Sequence, residues 1–289
     1  MEALNKPKGK LFLVATPIGN LEDLSPRALR YLSEADIIAA EDTRQTLKLL
    51  NHFQLRKRMI SYREQNHQHI VAKLIQYLDE GKNIALVSDA GMPLISDPGE
   101  ELVKAVYAAD LSVSIIPGPS AGLSALAISG LPTNRFVFEG FLPTKARELK
   151  ERLSDLSNEE RTIILYEAPH RLLRTLENLS LALGSDRETA IVRELTKVHE
   201  EVQRGSLNEL IAFNHLQELR GEYVIVLHGC TKLEPQEASP TMALLLYDEL
   251  VGQGLSRANA LKEAARRTGL TRDDIYILLS DRKTKEELN

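Results

Sequence analysis

A loop rich in glycine, proline and aspartate, residues 88–99, does most to constrain the fold of this chain. It follows an apolar run, 83–87, that is typical of a buried strand, and it precedes a helical pattern with acidic residues in its first turn, 100–109. Loops of this kind at the carboxyl ends of strands are where open α/β sheets bind ligands. The loop lacks the G-x-G-x-x-G pattern, so we expect a ligand other than a dinucleotide.

Strand and helix patterns alternate from residue 10 to residue 116. Strands are predicted at residues 10–15, 37–40, 59–61, 84–87 and 112–116, and helices at 26–33, 45–50, 67–80 and 100–109. Ser25 is a suitable N-cap for the first helix, with Pro26 in its first turn. This alternation implies a largely parallel sheet that is covered by helices on both faces.

A second α/β unit follows the proline- and glycine-containing turn at residues 117–120. A helix of small residues, 121–129, is predicted to begin with Ser120 as its N-cap and to pack closely against a neighbour. Further strands are predicted at 136–139, 162–166, 189–193 and 223–228, and helices at 145–156, 170–183 and 207–213. Residues 198–204 are expected to form an additional antiparallel strand.

The proline-containing stretch 231–240 is typical of a linker, and residues 241–289 predict three short helices with Ser256 and Thr271 as candidate N-caps. This tail has eight Lys/Arg and eight Asp/Glu. A packing or dimerisation role therefore competes evenly with nucleic-acid contact. The predicted domains are 1–120 (α/β), 121–235 (α/β) and 236–289 (helical).

Composition limits the classes of protein that fit. One cysteine, Cys230, excludes an intramolecular disulfide, and no Cys/His spacing suggests a metal site. No apolar run has the length of a membrane span, so we expect a soluble cytoplasmic protein. The net charge of −5 argues against a surface built throughout for nucleic acid, yet residues 42–63 hold six Lys/Arg and one acid.

Four loops that follow strands are rich in small or turn-forming residues: 16–20, 88–99, 117–121 and 167–170. In a parallel sheet the first three lie at one edge, around one crevice. The fourth lies at the corresponding edge of the second unit. The sequence therefore predicts a ligand that is held between two α/β units.

The same loops carry a family resemblance. The motifs are VATPIGNLED (14–23), AEDTR (40–44), SDAGMPLISDPG (88–99), IPGPSA (116–121), YEAPHR (166–171), RELTK (193–197) and GEY (221–223). With them the chain resembles the tetrapyrrole-methylase-type, or class III, S-adenosylmethionine (SAM)-dependent methyltransferases. Within that superfamily it is similar to the bacterial small-subunit (16S) ribosomal RNA cytidine 2′-O-methyltransferases.

The resemblance implies a homodimer of two-domain α/β chains with SAM in the interdomain cleft, acting on 16S rRNA near the decoding region. It implies that residues 88–93 cradle the methionine and ribose parts of SAM, and that Ser120, Ala121 and Tyr166 flank the adenosine. The expected cofactor-binding residues are Pro17, Gly19, Ser88, Asp89, Ala90, Gly91, Met92, Pro93, Ser120, Ala121 and Tyr166. Asp89 can instead cap its own loop.

Methyl transfer to a ribose hydroxyl is assisted by a group that removes the hydroxyl proton or stabilises the alkoxide. We expect Glu41 or Asp42 at the ribose, although Asp42 also suits a helix N-cap. In the motif 193–197, Glu194 can accept the proton and Lys197 can stabilise the alkoxide, or the two can form a plain ion pair.

We expect Arg44 to contact an RNA phosphate, and Arg56, Lys57 and Arg58 to extend a basic patch for RNA. The alternative for this patch is a solvated surface. The sequence leaves two rival functions open. A macrocycle methylase shares the cofactor loops, and a helix-turn-helix regulator would use the tail.

Overall fold

The computed structural model describes residues 7–63, 67–230 and 240–287. The chain divides into two compact units, Met1–Cys230 and Thr231–Asn289. The predicted boundary at 235/236 lies outside the described residues, and so does the predicted linker 231–240 except for its last residue. Within the described residues, no helix is long and apolar enough to span a membrane.

The first half of the larger unit is built on a five-stranded parallel sheet in the order β3-β2-β4-β1-β5. Its strands are β1 (Lys10–Val14), β2 (Ile37–Ala40), β3 (Arg58–Ser61), β4 (Ile84–Val87) and β5 (Ser112–Ile116), and its helices are α1 (Pro26–Glu34), α2 (Thr43–His52), α3 (His67–Asp79) and α4 (Glu100–Ala108). Every strand and helix predicted here is confirmed within two residues at each end. A short 3₁₀ turn at Leu21–Asp23 was not predicted.

Both faces of this sheet are covered, as the alternation predicted. One apolar core joins the sheet to α1 and α2 through residues such as Leu32 and Leu50. A second core joins it to α3 and α4 through residues such as Leu74 and Leu102. The central strands β2 and β4 are buried at every position, which is the pattern of strands packed on two sides.

The second half of the larger unit holds a mixed sheet in the order β6-β7-β10-β8-β9. Its elements are α5 (Ala121–Ser129), β6 (Phe136–Phe141), α6 (Ala146–Ser157), β7 (Thr162–Glu167), α7 (Leu172–Leu183), β8 (Glu188–Arg193), β9 (Glu201–Ser206), α8 (Leu207–Asn214) and β10 (Tyr223–Leu227). β6 and β7 are parallel, whereas β10 is antiparallel to both β7 and β8. Helices α6, α7 and α8 cover one face and α5 packs on the other.

Two local predictions in this half differ from the structure. The antiparallel strand begins at Glu201 rather than at Val198, because Glu194 and Thr196 have left-handed backbones that turn the chain first; Val198 is 96% exposed. Ser120 is the N-cap of α5, but its side chain makes no capping hydrogen bond. The close packing of α5 is confirmed, since a Cβ at Gly122 would lie 3.4 Å from the Tyr166 hydroxyl.

Residues 240–287 contain three helices, α9 (Pro240–Gly252), α10 (Arg257–Thr268) and α11 (Arg272–Glu287), around a small core that includes Leu250, Ala264 and Ile275. Ser256 caps α10, and Thr271 exchanges hydrogen bonds with Asp274 at the start of α11, as the two candidate N-caps predicted. Helix α11 is eight residues longer than the predicted segment 272–279.

Candidate functional site

An apolar cavity of about 420 Å³ lies between the two halves of the larger unit, at the carboxyl ends of strands of the first sheet. Its lining combines the loop after β4, the start of α5, the ends of β7 and β8, and the start of β10. The predicted site residues that line it are Glu41, Asp89, Ala90, Gly91, Met92, Ser120, Ala121 and Tyr166. The sequence-based placement of the ligand crevice therefore matches a real cavity.

The loop after β4 is fixed to the loop after β1 by a backbone pair. The Thr16 amide donates to the Gly91 carbonyl at 2.9 Å, and the Gly91 amide donates to the Thr16 carbonyl at 3.1 Å. Gly91 has a φ of +82°, and a Cβ there would lie 3.2 Å from Ile18 Cγ2. Glycine at 91 therefore allows both the left-handed turn and a close approach to the cavity.

The opposite wall is aromatic. Tyr166 contacts Phe138 and Phe141 edge-on, with ring centroids 5.0 and 5.8 Å apart. The Tyr166 hydroxyl accepts a hydrogen bond from the Gly122 amide at 3.0 Å. Burial raises the pKa of Tyr166, so the hydroxyl stays protonated at neutral pH. Phe141 is 53% exposed, which leaves an aromatic face at the cavity mouth.

The Tyr166 wall is held from behind by the buried Glu167. Its carboxylate accepts hydrogen bonds from the Ala168 amide at 2.8 Å and from the Thr175 hydroxyl at 2.6 Å. Arg171 lies 3.3 Å from the same carboxylate and donates to the Leu142 carbonyl at 2.9 Å. The motif at 166–171 thereby connects the ends of β6 and β7 to α7.

Glu194 and Lys197, which do not line the cavity or the groove, form an ion pair of 2.9 Å, and Lys197 also contacts the cavity-lining Glu222 at 3.2 Å. Burial favours the uncharged forms of Glu194 and Lys197. The hydrogen bond between the two side chains and their hydrogen bonds with Glu222 outweigh this effect of burial. The pKa of Glu194 is therefore lowered and that of Lys197 raised. The structure thus has the ion pair that we considered as the alternative to a catalytic role. A Cβ at Gly19 would lie 2.6 Å from Lys197 Cγ.

A polar groove of about 740 Å³ adjoins the cavity. Glu41, Asp89, Ser96 and Asp97 line both spaces. The groove is otherwise lined by Asp42, Arg44, Tyr62, Arg63, Leu94, Pro98, Gly99, Glu100 and Glu101. Six carboxylates and two guanidinium groups therefore line the groove, and three of the carboxylates, Glu41, Asp89 and Asp97, also line the cavity.

Asp42 has a structural role in this groove. It is the N-cap of α2, accepting from the Arg44 amide at 2.9 Å, and it pairs with the Arg44 side chain at 2.6 Å. Hydrogen bonds from Arg44 hold the pKa of Asp42 well below its usual range. Arg63 donates to the Glu41 carbonyl at 3.1 Å, and Asp89 accepts from the Asp42 amide at 3.0 Å.

The pKa values of Glu41 and Asp97 are raised, in contrast to the lowered pKa of Asp42. Burial, followed by the negative charge of Asp89, raises the pKa of Glu41. Burial, followed by the charge of Glu41, raises the pKa of Asp97 to about 6, against an opposing hydrogen bond with Ser88. Asp97 therefore exchanges its proton near pH 6, and Glu41 keeps its proton to a higher pH than an exposed glutamate does.

Some predicted residues lie outside both spaces. Pro17, Gly19, Ser88 and Pro93 do not line either one. Arg56, Lys57 and Arg58 lie at the amino-terminal edge of the first sheet, opposite the cavity. Lys57 donates to the Ala35 carbonyl, and Arg58 donates to the Tyr77 hydroxyl. RNA contact by these three residues therefore remains a prediction that the cavity geometry does not support.

Among the lining residues that were not predicted as site residues, Asp97, Arg63 and Phe141 have the side chains best suited to contact a nucleotide. Asp97 lies inside the motif 88–99. A second aspartate in a loop beside a predicted ligand crevice was the sequence signal that could have identified it as a site residue. Arg63 follows β3 in the same way that Arg44 follows β2. Within the part of the chain that the structure describes, no group of three or more His, Cys, Asp or Glu is arranged to hold a metal ion.

Comparison with known proteins assigns the fold of the larger unit to a protein family. The family model of Tetrapyrrole (Corrin/Porphyrin) Methylases matches residues 10–211. Among solved structures, uroporphyrin-III C-methyltransferase from Thermus thermophilus, complexed with S-adenyl homocysteine, has a TM-score of 0.54 at 21% identity over 76% of this chain and 97% of that one. Diphthine synthase has a TM-score of 0.59 at 18% identity over 77% and 91%. These likenesses show the fold.

Proteins with higher sequence identity to this chain identify a narrower family. A Synechocystis protein named ribosomal RNA small subunit methyltransferase I is 50% identical over 93% of this chain and 97% of its own length. Proteins of the same name from Halalkalibacterium halodurans and Escherichia coli O157:H7 are 46% and 41% identical over 93% and 95% of this chain, and over 94% and 96% of their own lengths. The chain belongs to the family of ribosomal RNA small subunit methyltransferase I.

Proposed function

We propose that this protein transfers a methyl group from SAM to the 2′-oxygen of a cytidine in the 16S rRNA of the small ribosomal subunit, near the decoding region. The observation that carries this proposal is the junction between an apolar cavity and an arginine-bearing groove. It occurs in a chain whose relatives are named for methylation of small-subunit ribosomal RNA.

The cavity suits SAM in size and chemistry. Its volume of about 420 Å³ is within the range of roughly 300–1,000 Å³ that small-molecule sites occupy. Apolar side chains such as Val192 and Val224 line one side, and the small residues Ala90, Gly91 and Ala121 expose backbone on the other. SAM, when bound, supplies an electrophilic methyl group on a sulfonium. The protein's part is to hold that group in line with the ribose oxygen.

The groove suits a nucleotide. Arg44, whose side chain is 82% exposed, and Arg63 lie on one side of it, where they can contact phosphates. Phe141 at the cavity mouth offers a surface for a base. A target ribose at the junction places its 2′-hydroxyl between Arg44 and Arg63 in the groove and the methyl donor in the cavity.

The homodimer and the cytoplasmic location that the resemblance implies are part of this proposal. Light scattering on the purified protein tests the first, with twice the mass of 32.3 kDa expected. A monomer at micromolar concentration would contradict a stable homodimer.

The direct test is transfer of tritiated methyl from SAM to small subunits isolated from cells that lack the modification. Nuclease digestion and mass spectrometry then locate the label. We expect one ribose-methylated cytidine. A macrocyclic tetrapyrrole serves as the alternative acceptor, because proteins with this fold include a uroporphyrin-III methyltransferase. Label on the tetrapyrrole, with none on subunits or naked rRNA, would overturn the proposal.

A further inference from the structure

Three carboxylates that sequence reasoning associated with the site already have partners within the protein. Asp42 caps α2 and pairs with Arg44. Asp89 accepts a backbone hydrogen bond from Asp42. Glu194 is paired with Lys197 and accepts a further backbone hydrogen bond at 3.1 Å. A carboxylate that is neutralised by a cation or occupied by donors is a weak proton acceptor.

Asp97 lies at the junction together with Glu41 and Asp89, and its hydrogen bond is with the neutral side chain of Ser88. It lines both the cavity and the groove, so a ribose that lies across their junction has its hydroxyl beside this carboxylate. The preceding residues Leu94 and Ser96 have φ values of +72° and +67°, which non-glycine residues adopt at a cost in free energy. The same loop contacts the second half of the unit, because a Cβ at Gly140 would lie 3.0 Å from Ser96 Oγ. A strained loop thus carries Asp97 into the cleft.

We propose that Asp97 accepts the proton of the ribose 2′-hydroxyl during methyl transfer. This role rests on the proposed function. A lone pair of the 2′-oxygen forms the new O–C bond to the methyl group as the C–S bond of SAM breaks, and that bonding pair stays on sulfur in S-adenosylhomocysteine. The hydroxyl proton passes to the Asp97 carboxylate and then to water.

The surroundings of Asp97 support this role. Burial and the charge of Glu41 make its carboxylate a better proton acceptor than an exposed one, and it is still largely ionised above pH 6. The titratable or charged groups that line the same cavity or groove are Glu41, Asp42, Arg44, Tyr62, Arg63, Asp89, Glu100, Glu101, Tyr166, Glu167, Glu222 and Tyr223. Glu41 is the competing acceptor, since it lines the same junction and has a raised pKa.

The test compares single-turnover methyl transfer to small subunits between pH 5.5 and 8.5 for wild type, Asp97→Asn, Glu41→Gln and a remote control, Asp186→Asn. In wild type and in the control, the rate rises with pH through an inflection near 6. In Asp97→Asn we expect a rate about 10²–10⁴-fold lower without that inflection. SAM binding, measured by calorimetry, should stay within about threefold, which shows that the variant is folded. Glu41→Gln retains the inflection but shifts it to lower pH, because the charge of Glu41 helps to raise the pKa of Asp97.

The inference is overturned if Asp97→Asn keeps the inflection or loses less than tenfold in rate. It is also overturned if the inflection disappears in Glu41→Gln instead. Wild-type protein that binds SAM but methylates neither subunits nor naked rRNA overturns the proposed function, and the role of Asp97 with it. An active wild type with an equally active Asp97→Asn overturns the role of Asp97 alone.

Discussion

The hydroxyl of Tyr166 accepts a hydrogen bond from the amide of Gly122, which joins the end of β7 to the first turn of α5 at the wall of the cavity. The first amides of a helix have no partner within the helix. Because Tyr166 supplies one, the same side chain both lines the ligand cavity and completes the helix that packs against it. Residue 166 therefore links the folding of the second half to the shape of the site.

Replacing Tyr166 with phenylalanine should lower the free energy of unfolding. The change keeps the ring contacts with Phe138 and Phe141 but leaves the Gly122 amide without its partner. An unsatisfied buried donor costs about 1–3 kcal/mol, and we expect a loss of stability of that size in urea unfolding. Tyr107→Phe, at a residue that is 64% exposed, is the matched control. Equal stabilities for the two variants would contradict this assignment.

Gly91→Ala should weaken SAM binding while leaving most of the fold intact. The new Cβ requires a left-handed alanine and lies 3.2 Å from Ile18 Cγ2, beside the cavity. Gly254→Ala is the control, since Gly254 has a φ of +92° and no atom within 4 Å of the added Cβ. Both variants carry a backbone penalty of about 1 kcal/mol. Loss of SAM binding in Gly91→Ala alone identifies the cavity, and loss in both would point to general destabilisation.

Much of the first half could be predicted from sequence, because each element there is set by local signals. Buried strands such as 84–87 read as continuous apolar runs, and Ser25 with Pro26 fixes a helix start through one side-chain hydrogen bond. The strand 201–206 was placed too early. Its start depends on the left-handed backbones of Glu194 and Thr196, and neither residue type predicts that conformation.

The site was less predictable than the fold, because roles depend on partners that are distant in sequence. The motif at 193–197 predicted either a catalytic Glu–Lys pair or a plain ion pair; the structure has the ion pair, to which Glu222 adds a contact, and the catalytic role stays a prediction. Asp97 has its raised pKa because the fold buries it next to Glu41, 56 residues earlier in the chain. Composition and spacing carry no record of that proximity.

Arg44→Gln and Arg63→Gln should each weaken binding to the small subunit and reduce its dependence on salt. Both side chains lie in the groove where we propose that phosphates bind. Loss of one phosphate contact lowers the slope of log affinity against log salt by roughly 0.7–0.9. Arg147→Gln, at an exposed residue of α6, should leave the slope unchanged. Filter binding between 50 and about 200 mM salt measures the slopes, and three equal slopes would contradict the groove assignment.

Asp97→Asn should make the protein more resistant to unfolding at pH 7.5 than wild type, by an amount that shrinks at pH 4.5. The folded-state pKa of Asp97 is raised from 3.8 to about 6, so the folded protein holds more protons than the unfolded chain between these values. Wild-type stability therefore falls as pH rises through that window, by at most about 3 kcal/mol. Asparagine does not ionise, so the variant avoids this loss.

Urea unfolding of wild type, Asp97→Asn and Asp186→Asn at both pH values measures the difference. An advantage of Asp97→Asn that is the same at pH 4.5 and 7.5 would show that it arises from packing and not from ionisation. A pH-dependent advantage, together with slower methyl transfer, would show that the fold accepts a destabilising charge at residue 97. A group retained for its chemistry has this signature, because a carboxylate that served only the fold would stabilise it when ionised.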